Sequence, residues 1–281
     1  MTCAETEPRA GWKGAVIRLL DELHLTRSFV DFYTYLRYLG QSELRARNAR
    51  LLASGTPDGL PLPPPRLVYF VTGAYDLQRF LDNGTLGAEC IRSVLRRNGY
   101  EIESLHRVLD FGCGCGRVMR HWAGVAGPEF HGTDYNPRLI EWCRASLPHG
   151  RFQLNTLGGG LGYADAYFGF VYAISVFTHF DLELQSFWIR ELARILSSGG
   201  LLYMTTHGRS YREDLDPEQR RRFDAGELAV VRARDSGSNL CAAFHPEAWV
   251  RQHFAEYFEV LDFEPDGARD ARQDVYLLRR R

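Results

Sequence analysis

The sequence of 281 residues lacks several features that would assign it to a broad class of protein. It has almost no net charge, with 34 Lys and Arg against 35 Asp and Glu, so it lacks the excess of cations that a general nucleic-acid-binding protein needs. The longest notable charge-free apolar run, residues 166–178, has 13 residues, which is short of the roughly 20 residues that span a bilayer. The acidic N-terminus has no apolar stretch typical of a signal peptide. We therefore expect a soluble cytoplasmic protein without nucleic-acid or membrane partners.

Cysteines are few, and they are scattered. None of the six forms a CxxC pair, so we expect reduced thiols and no disulfide framework. Hydrophobic residues make up 45% of the chain and charged residues 25%, which is typical of a protein with a buried core and excludes general disorder. The length allows one large domain, or one domain with an added segment.

The N-terminal third is predicted to be helical and to end in a linker. Residues 12–53 have helical periodicity, and the Pro- and Gly-rich stretch near 57–65 cannot continue a helix. Residues 66–84 form a further short segment that ends in the turn-like sequence Asp82-Asn83-Gly84. We therefore divide the chain into an N-terminal helical or lid segment, residues 1–89, and a domain over residues 90–281.

From residue 90 onward, apolar strands alternate with helices, which predicts a mainly parallel sheet with helices on both faces. The last two strands have no helix between them and predict a terminal antiparallel pair. The expected fold is α/β, a Rossmann-like doubly wound sheet of seven strands. The charged residues 211–238 break the alternation and predict an insertion or lid. Strands are expected at 107–111, 129–134, 151–155, 168–176, 201–206, 258–263 and 274–278, and helices at 90–98, 117–123, 137–147, 182–196 and 246–257.

Three alternating glycines, Gly112, Gly114 and Gly116, directly follow the first of these strands. Glycine tolerates positive φ, allows close approach to the backbone and leaves the next helix N-terminus open to a polar ligand. Asp134 lies 22 residues beyond Gly112, at the end of the second strand. An acidic residue about 20 positions on is placed to bind both hydroxyls of a ribose. The sequence therefore predicts a cofactor that contains a nucleoside.

The glycine spacing distinguishes between cofactors. A dinucleotide fingerprint beginning at Gly112 would need glycine at position 117, where the chain has Arg117. The observed GxGxG instead resembles motif I of the class I S-adenosylmethionine-dependent methyltransferases. Asp134, residues 170–179 and residues 191–200 are similar to later elements of that superfamily in the same order, the last to its "ELaRvLkpGG" element. The resemblance covers roughly residues 90–281 and implies S-adenosyl-L-methionine as cofactor.

The resemblance also implies a role for individual residues. The methionine part of the cofactor would lie among Asp110 and the three glycines, and Asp134 would hold the ribose. Tyr135 would flank the adenine, with Thr156 and Leu157 near its edge, and Ser175 would face both cofactor and substrate. At residues 155–157 the chain lacks the acidic residue that is common there in the superfamily.

Some of these residues also have a structural interpretation. Asp134 could simply cap a helix, and Ser175 could be part of ordinary strand packing. Cys113 and Cys115 invite a soft-metal or arsenic site, because thiolates favour soft ions. They occupy variable positions of the glycine loop, however, and no third cysteine is nearby in sequence. We expect no metal.

Three histidines lie near the ends of predicted elements. His179 follows the fourth strand, His207 follows the fifth strand, and His245 precedes the last long helix. These places border the expected substrate mouth. A histidine there could remove the proton of a hydroxyl acceptor near neutral pH. We rank His179 first because it lies beyond the strand nearest the transferred methyl group, and a structural role stays open for each.

The exit of the fourth strand narrows the acceptor by exclusion. Residues 175–178 lack the Asn/Asp-Pro-Pro-Tyr stretch of superfamily members that act on base amines, and no Pro-Cys pair occurs in the chain. We therefore expect transfer to an oxygen or nitrogen of a small molecule, such as a secondary metabolite. The alternatives are a protein or peptide acceptor, an NAD-linked oxidoreductase, and a cofactor-binding scaffold without turnover.

Aromatic residues are concentrated in the N-terminal segment, with five between positions 29 and 38. They could form a lid over an apolar substrate pocket. They could equally pack against the core or a second subunit, which leaves a homodimer open.

Overall fold

The computed structural model describes residues 25–281, so the part of the predicted helical region before residue 25 lies outside the described residues. Helices α1 (Thr26–Gly40) and α2 (Ser42–Ser54) are followed by an irregular connection and by α3 (Pro65–Thr72). The connection is anchored at Asp58, whose carboxylate accepts hydrogen bonds of 2.7 and 2.8 Å from Arg120. The predicted linker is therefore held against the domain.

The strands of the described residues are β1 (Arg107–Phe111), β2 (Glu129–Asp134), β3 (Gly150–Leu154), β4 (Phe168–Ala173), β5 (Leu196–Thr206), β6 (Ala229–Val231), β7 (Ala242–Phe244), β8 (Phe258–Glu264) and β9 (Asp274–Arg280). Seven of them form one sheet in the order β3-β2-β1-β4-β5-β9-β8. Strands β1 to β5 are parallel, and β9 is antiparallel to both β5 and β8. The predicted Rossmann-like, mostly parallel sheet with a terminal antiparallel strand is confirmed.

Two hydrophobic clusters cover the two faces of this sheet. Along β5, Leu202 and Met204 belong to one cluster, and Leu201 and Tyr203 belong to the other, as the period of two in a strand requires. None of the helices in the described part of the chain has the length and hydrophobicity that a membrane crossing requires. The remaining helices are α4 (Leu77–Arg97), α5 (Pro137–Ser146), α6 (Leu182–Ile195), α7 (Pro217–Asp224) and α8 (Glu247–Phe254).

Helix α4 begins well before the predicted residue 90, and Asp82-Asn83-Gly84 lies inside it rather than in a turn. Packing explains the difference. A Cβ atom on Gly84 would lie 2.4 Å from the carbonyl oxygen of Arg117, so glycine at this position allows the helix to approach the loop backbone. Residue 90, where we expected the domain to begin, lies within this continuous helix.

The helix predicted at 117–123 is reduced to a single 3-10 turn, Met119–Trp122. A helix of seven residues makes few internal hydrogen bonds for its nucleation cost. Here the side chains of Arg117 and Arg120 bond instead to distant residues, Asp270 and Asp58. Tertiary contacts therefore decide the conformation of this segment.

Two further segments differ from their predicted form. Strand β5 begins at Leu196 rather than at residue 201, because Leu196 pairs with Phe168 before an irregularity that includes Gly199 at φ 75°. The charged stretch 211–238 contains α7 and β6, and β6 pairs with β7 as a separate two-stranded sheet. Its structured character agrees with the predicted insertion.

We predict that Gly84→Ala destabilises the protein. Alanine gains roughly 1 kcal/mol of helix propensity, but the added methyl group would meet backbone atoms of Arg117 that cannot move aside. Overpacking of this kind costs roughly 1–3 kcal/mol, so urea unfolding should show a net loss of stability. Gly40→Ala is the control, because a Cβ there would meet nothing within 4 Å. Equal stabilisation of both variants would contradict the packing explanation.

Candidate active site

The glycine loop leaves β1 in a conformation that other residues rarely adopt. Gly112, Gly114 and Gly116 have φ angles of 77°, 57° and 79°. There is also no room for a side chain, because a Cβ would lie 2.5 Å from Val176 at Gly112 and 2.6 Å from Val71 at Gly114. Both backbone conformation and close packing therefore require glycine at these positions.

Backbone hydrogen bonds fix this loop to the end of β2. The amides of Gly112 and Cys113 both donate to the carbonyl of Thr133, at 2.8 and 2.9 Å. The Asp134 carboxylate accepts from the Gly114 amide at 3.0 Å and from the Asn136 amide at 2.8 Å. Asn136 caps α5, as predicted, so Asp134 is not the capping residue. It joins the loop and the strand end at one carboxylate.

Two buried carboxyl groups lie beside the loop. Asp110 is 5% exposed and Asp134 is 8% exposed. Burial raises the pKa of Asp110 to about 7, although a hydrogen bond with Tyr172 and the charge of Arg117 oppose the shift. Burial likewise raises the pKa of Asp134 to about 6, against hydrogen bonds from backbone amides. A positively charged ligand would favour the ionised form of both groups.

Arg117 occupies the position at which a dinucleotide fingerprint needs glycine. Its guanidinium lies 2.6 Å from the carboxylate of Asp270, whose side chain is 3% exposed, and it donates to the carbonyl of Asn83 at 3.1 Å. This ion pair ties the loop between β8 and β9 to the glycine loop. The sequence analysis missed Asp270, because the contact spans 153 residues and leaves no local signal.

Ser175 follows β4 in a strained backbone conformation, with φ 58°. Its amide donates to the Thr205 hydroxyl at 2.8 Å, and its own hydroxyl donates to Gln273 Oε1 at 2.9 Å. Thr205 donates to the same Gln273 oxygen at 2.6 Å. Strain held in place by surrounding bonds is characteristic of functional sites. The sequence analysis singled out Ser175 and missed both of its partners.

Two segments from distant parts of the chain cover the glycine loop. Val71 of α3 packs on Gly114, and Asn239 donates to the carbonyl of Phe70 in the same helix at 3.1 Å. On the other side, a Cβ on Gly237 would lie 2.5 Å from Leu157. Residues 236–241, which we call the covering loop, therefore reach from α3 to the predicted adenine edge.

The other predicted adenine neighbours lie in the same region. Tyr135 is 36% exposed directly after Asp134. The carbonyl of Leu157 accepts a hydrogen bond of 3.0 Å from Trp188, which holds the backbone after β3. The Thr156 hydroxyl lies so close to Gly159 that a Cβ there would be 2.2 Å away.

The aromatic residues of α1 are mostly exposed, with Phe29, Phe32 and Tyr33 46%, 60% and 53% exposed. Tyr38 is different, because it stacks on Tyr75 with ring centroids 4.5 Å apart. Helix α3 contacts the glycine loop through Val71.

His179 is oriented by the covering loop. Its Nδ1 lies 2.9 Å from the carbonyl of Cys241, and a carbonyl can only accept, so Nδ1 carries the hydrogen. Burial lowers the pKa of His179, which leaves a neutral ring with its lone pair on Nε2. Among residues 25–281, Nε2 has no hydrogen-bond partner. His179 therefore has the form of a general base.

His207 and His245 have more structural surroundings. The His207 ring packs against both Tyr211 and Phe244, with centroids 4.4 and 5.3 Å away. His245 is 1% exposed, and its Nε2 lies 2.8 Å from Nε2 of Gln185. Burial lowers the pKa of both histidines to about 3, so both are neutral at physiological pH.

The thiols near the loop are buried and unreactive. Burial raises the pKa of Cys113 and Cys115 well above the ordinary value, and a protonated thiol is a poor ligand and nucleophile. Within the described ranges, no group of three or more His, Cys, Asp and Glu is arranged to hold a metal ion.

Comparisons with known proteins find similarity to methyltransferases. Residues 109–204 match a family described as methyltransferase domain. The match covers about a third of the chain and includes the glycine loop, Asp134 and Ser175. An S-adenosylmethionine-dependent methyltransferase from Mesorhizobium loti is similar in fold, with a TM-score of 0.53 and 17% identity over 69% of this chain and 100% of that one.

Two other methyltransferase structures share the fold. One is a Burkholderia thailandensis 1,6-didemethyltoxoflavin-N1-methyltransferase with bound 1,6-didemethyltoxoflavin and S-adenosylhomocysteine, with a TM-score of 0.52 and 14% identity over 76% of this chain and 84% of that one. The other is a complex between the Haloferax volcanii Trm112 methyltransferase activator and a methyltransferase. It has a TM-score of 0.52 and 15% identity, and the match covers 76% of this chain and 96% of that one.

The residues beside the glycine loop fit S-adenosylmethionine, the cofactor that the sequence resemblance implies. The cofactor carries positive charge on its sulfonium and ammonium groups, and the loop is bordered by two buried carboxyl groups, Asp110 and Asp134. Asp134 already accepts the Gly114 amide through one oxygen and the Asn136 amide through the other, and a carboxylate has further lone pairs for hydroxyl donors.

We predict that Asp110 makes the stability of the protein without cofactor fall as pH rises. Its folded pKa of about 7 exceeds the unfolded value of about 3.9, so the folded state binds the extra proton. The contribution is complete below pH 4 and is lost as pH rises to 7. Relative to Asp110→Asn, wild-type stability should fall by about 1.4 kcal/mol per pH unit in this window.

Urea unfolding of both proteins between pH 4 and pH 8 measures this difference. The histidines act in the opposite direction, because lowered pKa values cost stability as pH falls below 6.5, but they are common to both proteins and cancel. A constant difference across the window would show that Asp110 is not protonated in the folded state.

Proposed function

We propose that this protein transfers a methyl group from S-adenosylmethionine to an oxygen or nitrogen of a small molecule, such as a secondary metabolite, in the cytoplasm. The observation that carries the proposal is the enclosure of the glycine loop. Val71 packs on Gly114, and the covering loop reaches from Phe70 to Leu157. A site covered from two sides suits a small acceptor better than the surface of a folded macromolecule.

The fold relative from Burkholderia thailandensis supports this choice of acceptor, because it was solved with the small molecule 1,6-didemethyltoxoflavin bound. The alternative of a protein or peptide acceptor would require the covering loop or α3 to open widely. An NAD-linked reaction is disfavoured because Arg117 stands where the dinucleotide motif has glycine and forms a buried ion pair there.

The binding residues of the proposed mechanism surround the glycine loop. When bound, the cofactor supplies a methyl group on a sulfonium sulfur, which is electrophilic without further activation. Asp110 and the glycines would hold its methionine part, and Asp134 would hold the ribose hydroxyls. Tyr135, Thr156 and Leu157 would surround the adenine. Alignment of acceptor and methyl group supplies much of the rate in such a displacement, and the covering loop would exclude water.

His179 is the proposed general base. Its Nδ1–H donates to Cys241 in the covering loop, so closure of that loop orients the ring and presents the Nε2 lone pair. Nε2 would accept the proton of a hydroxyl acceptor as its oxygen attacks the methyl carbon. His245 is a weaker candidate because it is buried against Gln185. His207 is weaker because its ring packs against Tyr211 and Phe244.

We predict that Asp134→Ala abolishes cofactor binding. The change removes the ribose ligand and leaves the amides of Gly114 and Asn136 without their acceptor. Calorimetric titration should show micromolar binding of S-adenosylmethionine and S-adenosylhomocysteine to the wild type, no binding to the variant and no binding of NAD. Asp216→Ala is the control, since it removes only the cap of α7. Unchanged binding in Asp134→Ala would overturn the assigned role.

We further predict that His179→Ala lowers turnover with a hydroxyl acceptor by about 100- to 10,000-fold while cofactor affinity stays unchanged. The measurement is transfer of radiolabelled methyl groups, with acceptors found by screening small molecules and, separately, peptides. His106→Ala is the control, because this histidine is exposed before β1, at the opposite edge of the sheet. Labelling of peptides alone would contradict the proposal of a small-molecule acceptor. Full turnover in His179→Ala would contradict the role of His179 as general base.

A further inference from the structure

A directed hydrogen-bond network lies at the carboxyl ends of β4 and β5, and its centre is Gln273. This side chain is 4% exposed at the start of β9, and Thr205 is completely buried. Gln273 Oε1 accepts from the hydroxyls of both Ser175 and Thr205. A buried amide with two hydroxyl partners forms a fixed interior hydrogen-bond network rather than a surface contact.

The donors in this network determine the direction of every bond. Thr205 uses its single hydroxyl hydrogen on Gln273, so its oxygen is free to accept the amide of Ser175, at 2.8 Å. Ser175 also spends its hydroxyl hydrogen on Gln273. The Ser175 oxygen can therefore act only as an acceptor toward any further group.

Ser175 lies at the edge of the predicted cofactor site. The next residue, Val176, packs on Gly112, where a Cβ would lie 2.5 Å from its side chain. The positive φ of Ser175 turns the chain at this point, and its amide bond to Thr205 together with its hydroxyl bond to Gln273 holds the turn. The acceptor oxygen is thus fixed beside the glycine loop rather than free to rotate.

Gln273 is delivered to this position by the loop between β8 and β9. The same loop contains Asp270, which forms the buried ion pair with Arg117 at the end of the glycine loop. The loop is therefore fixed at two points, one on the cofactor side and one on the acceptor side. Neither contact had a signal in the local sequence.

We propose that Gln273 is a positioning residue that aims the Ser175 hydroxyl oxygen at the sulfonium methyl group of the cofactor. The inference rests on the proposed function, because it requires the methyl group to lie beside Ser175. An oriented oxygen attracts the positive charge shared by the sulfur and its methyl carbon. S-adenosylhomocysteine has no such charge at sulfur, so the network favours S-adenosylmethionine over S-adenosylhomocysteine.

The test measures the ratio of the dissociation constants of the two ligands by calorimetry, with no acceptor needed. Gln273→Met keeps the volume but removes the oxygen that orients Ser175, and we expect the preference for S-adenosylmethionine to fall about fivefold. Ser175→Ala should give the same fall. Gln273→Glu retains an oxygen acceptor for both hydroxyls and adds no positive charge, so the preference for S-adenosylmethionine should not fall below that of the wild type.

Asn48→Leu is the control for general loosening. Asn48 is another buried amide, which bonds to the backbone at Tyr75 and Leu77, far along the chain from Ser175. It should lower the unfolding temperature and leave the ratio unchanged. An unchanged ratio in both Gln273→Met and Ser175→Ala, with each ligand still bound, overturns the positioning role. If neither S-adenosylmethionine nor S-adenosylhomocysteine binds to the wild type, the proposed function itself is overturned.

Discussion

The candidate site depends on one carboxylate, that of Asp134. Its two oxygens accept the amides of Gly114 and Asn136, so it joins the glycine loop to the end of β2 and the beginning of α5. Because Gly114 has a positive φ, the loop backbone can turn its amide toward this carboxylate. The carbonyl of Thr133 holds the beginning of the same loop through the amides of Gly112 and Cys113.

The carboxyl groups of Asp134 and Asp110 are both costly to ionise in the folded protein. Burial raises the pKa of both groups, so each ionised form is costly while no positive charge is near. Arg117 relieves part of this cost for Asp110, but Asp270 already occupies its guanidinium. The arrangement is complementary to a cationic nucleoside such as S-adenosylmethionine, which would lower the cost as it binds.

Both the N-terminal and the C-terminal part of the chain contact the surroundings of the glycine loop, in different ways. The N-terminal part contributes Val71 as a cover, and the C-terminal part contributes Asp270 and Gln273 as supports. The covering loop completes the enclosure and orients His179 through Cys241. The proposed cofactor site and the proposed base, His179, are therefore linked through a small number of contacts.

The sequence by itself determined the sheet, the glycine loop, Asp134 and the cap at Asn136, because these features depend on local periodicity, on backbone freedom and on spacing along one β-α-β unit. It did not determine that Asn83 and Gly84 lie within a helix, that residues 117–123 form only a 3-10 turn, or that Ser175 is held by Thr205 and Gln273. Those outcomes depend on contacts between residues 30 to 153 positions apart. Such contacts form only when packing brings distant segments together, and local propensity cannot report them.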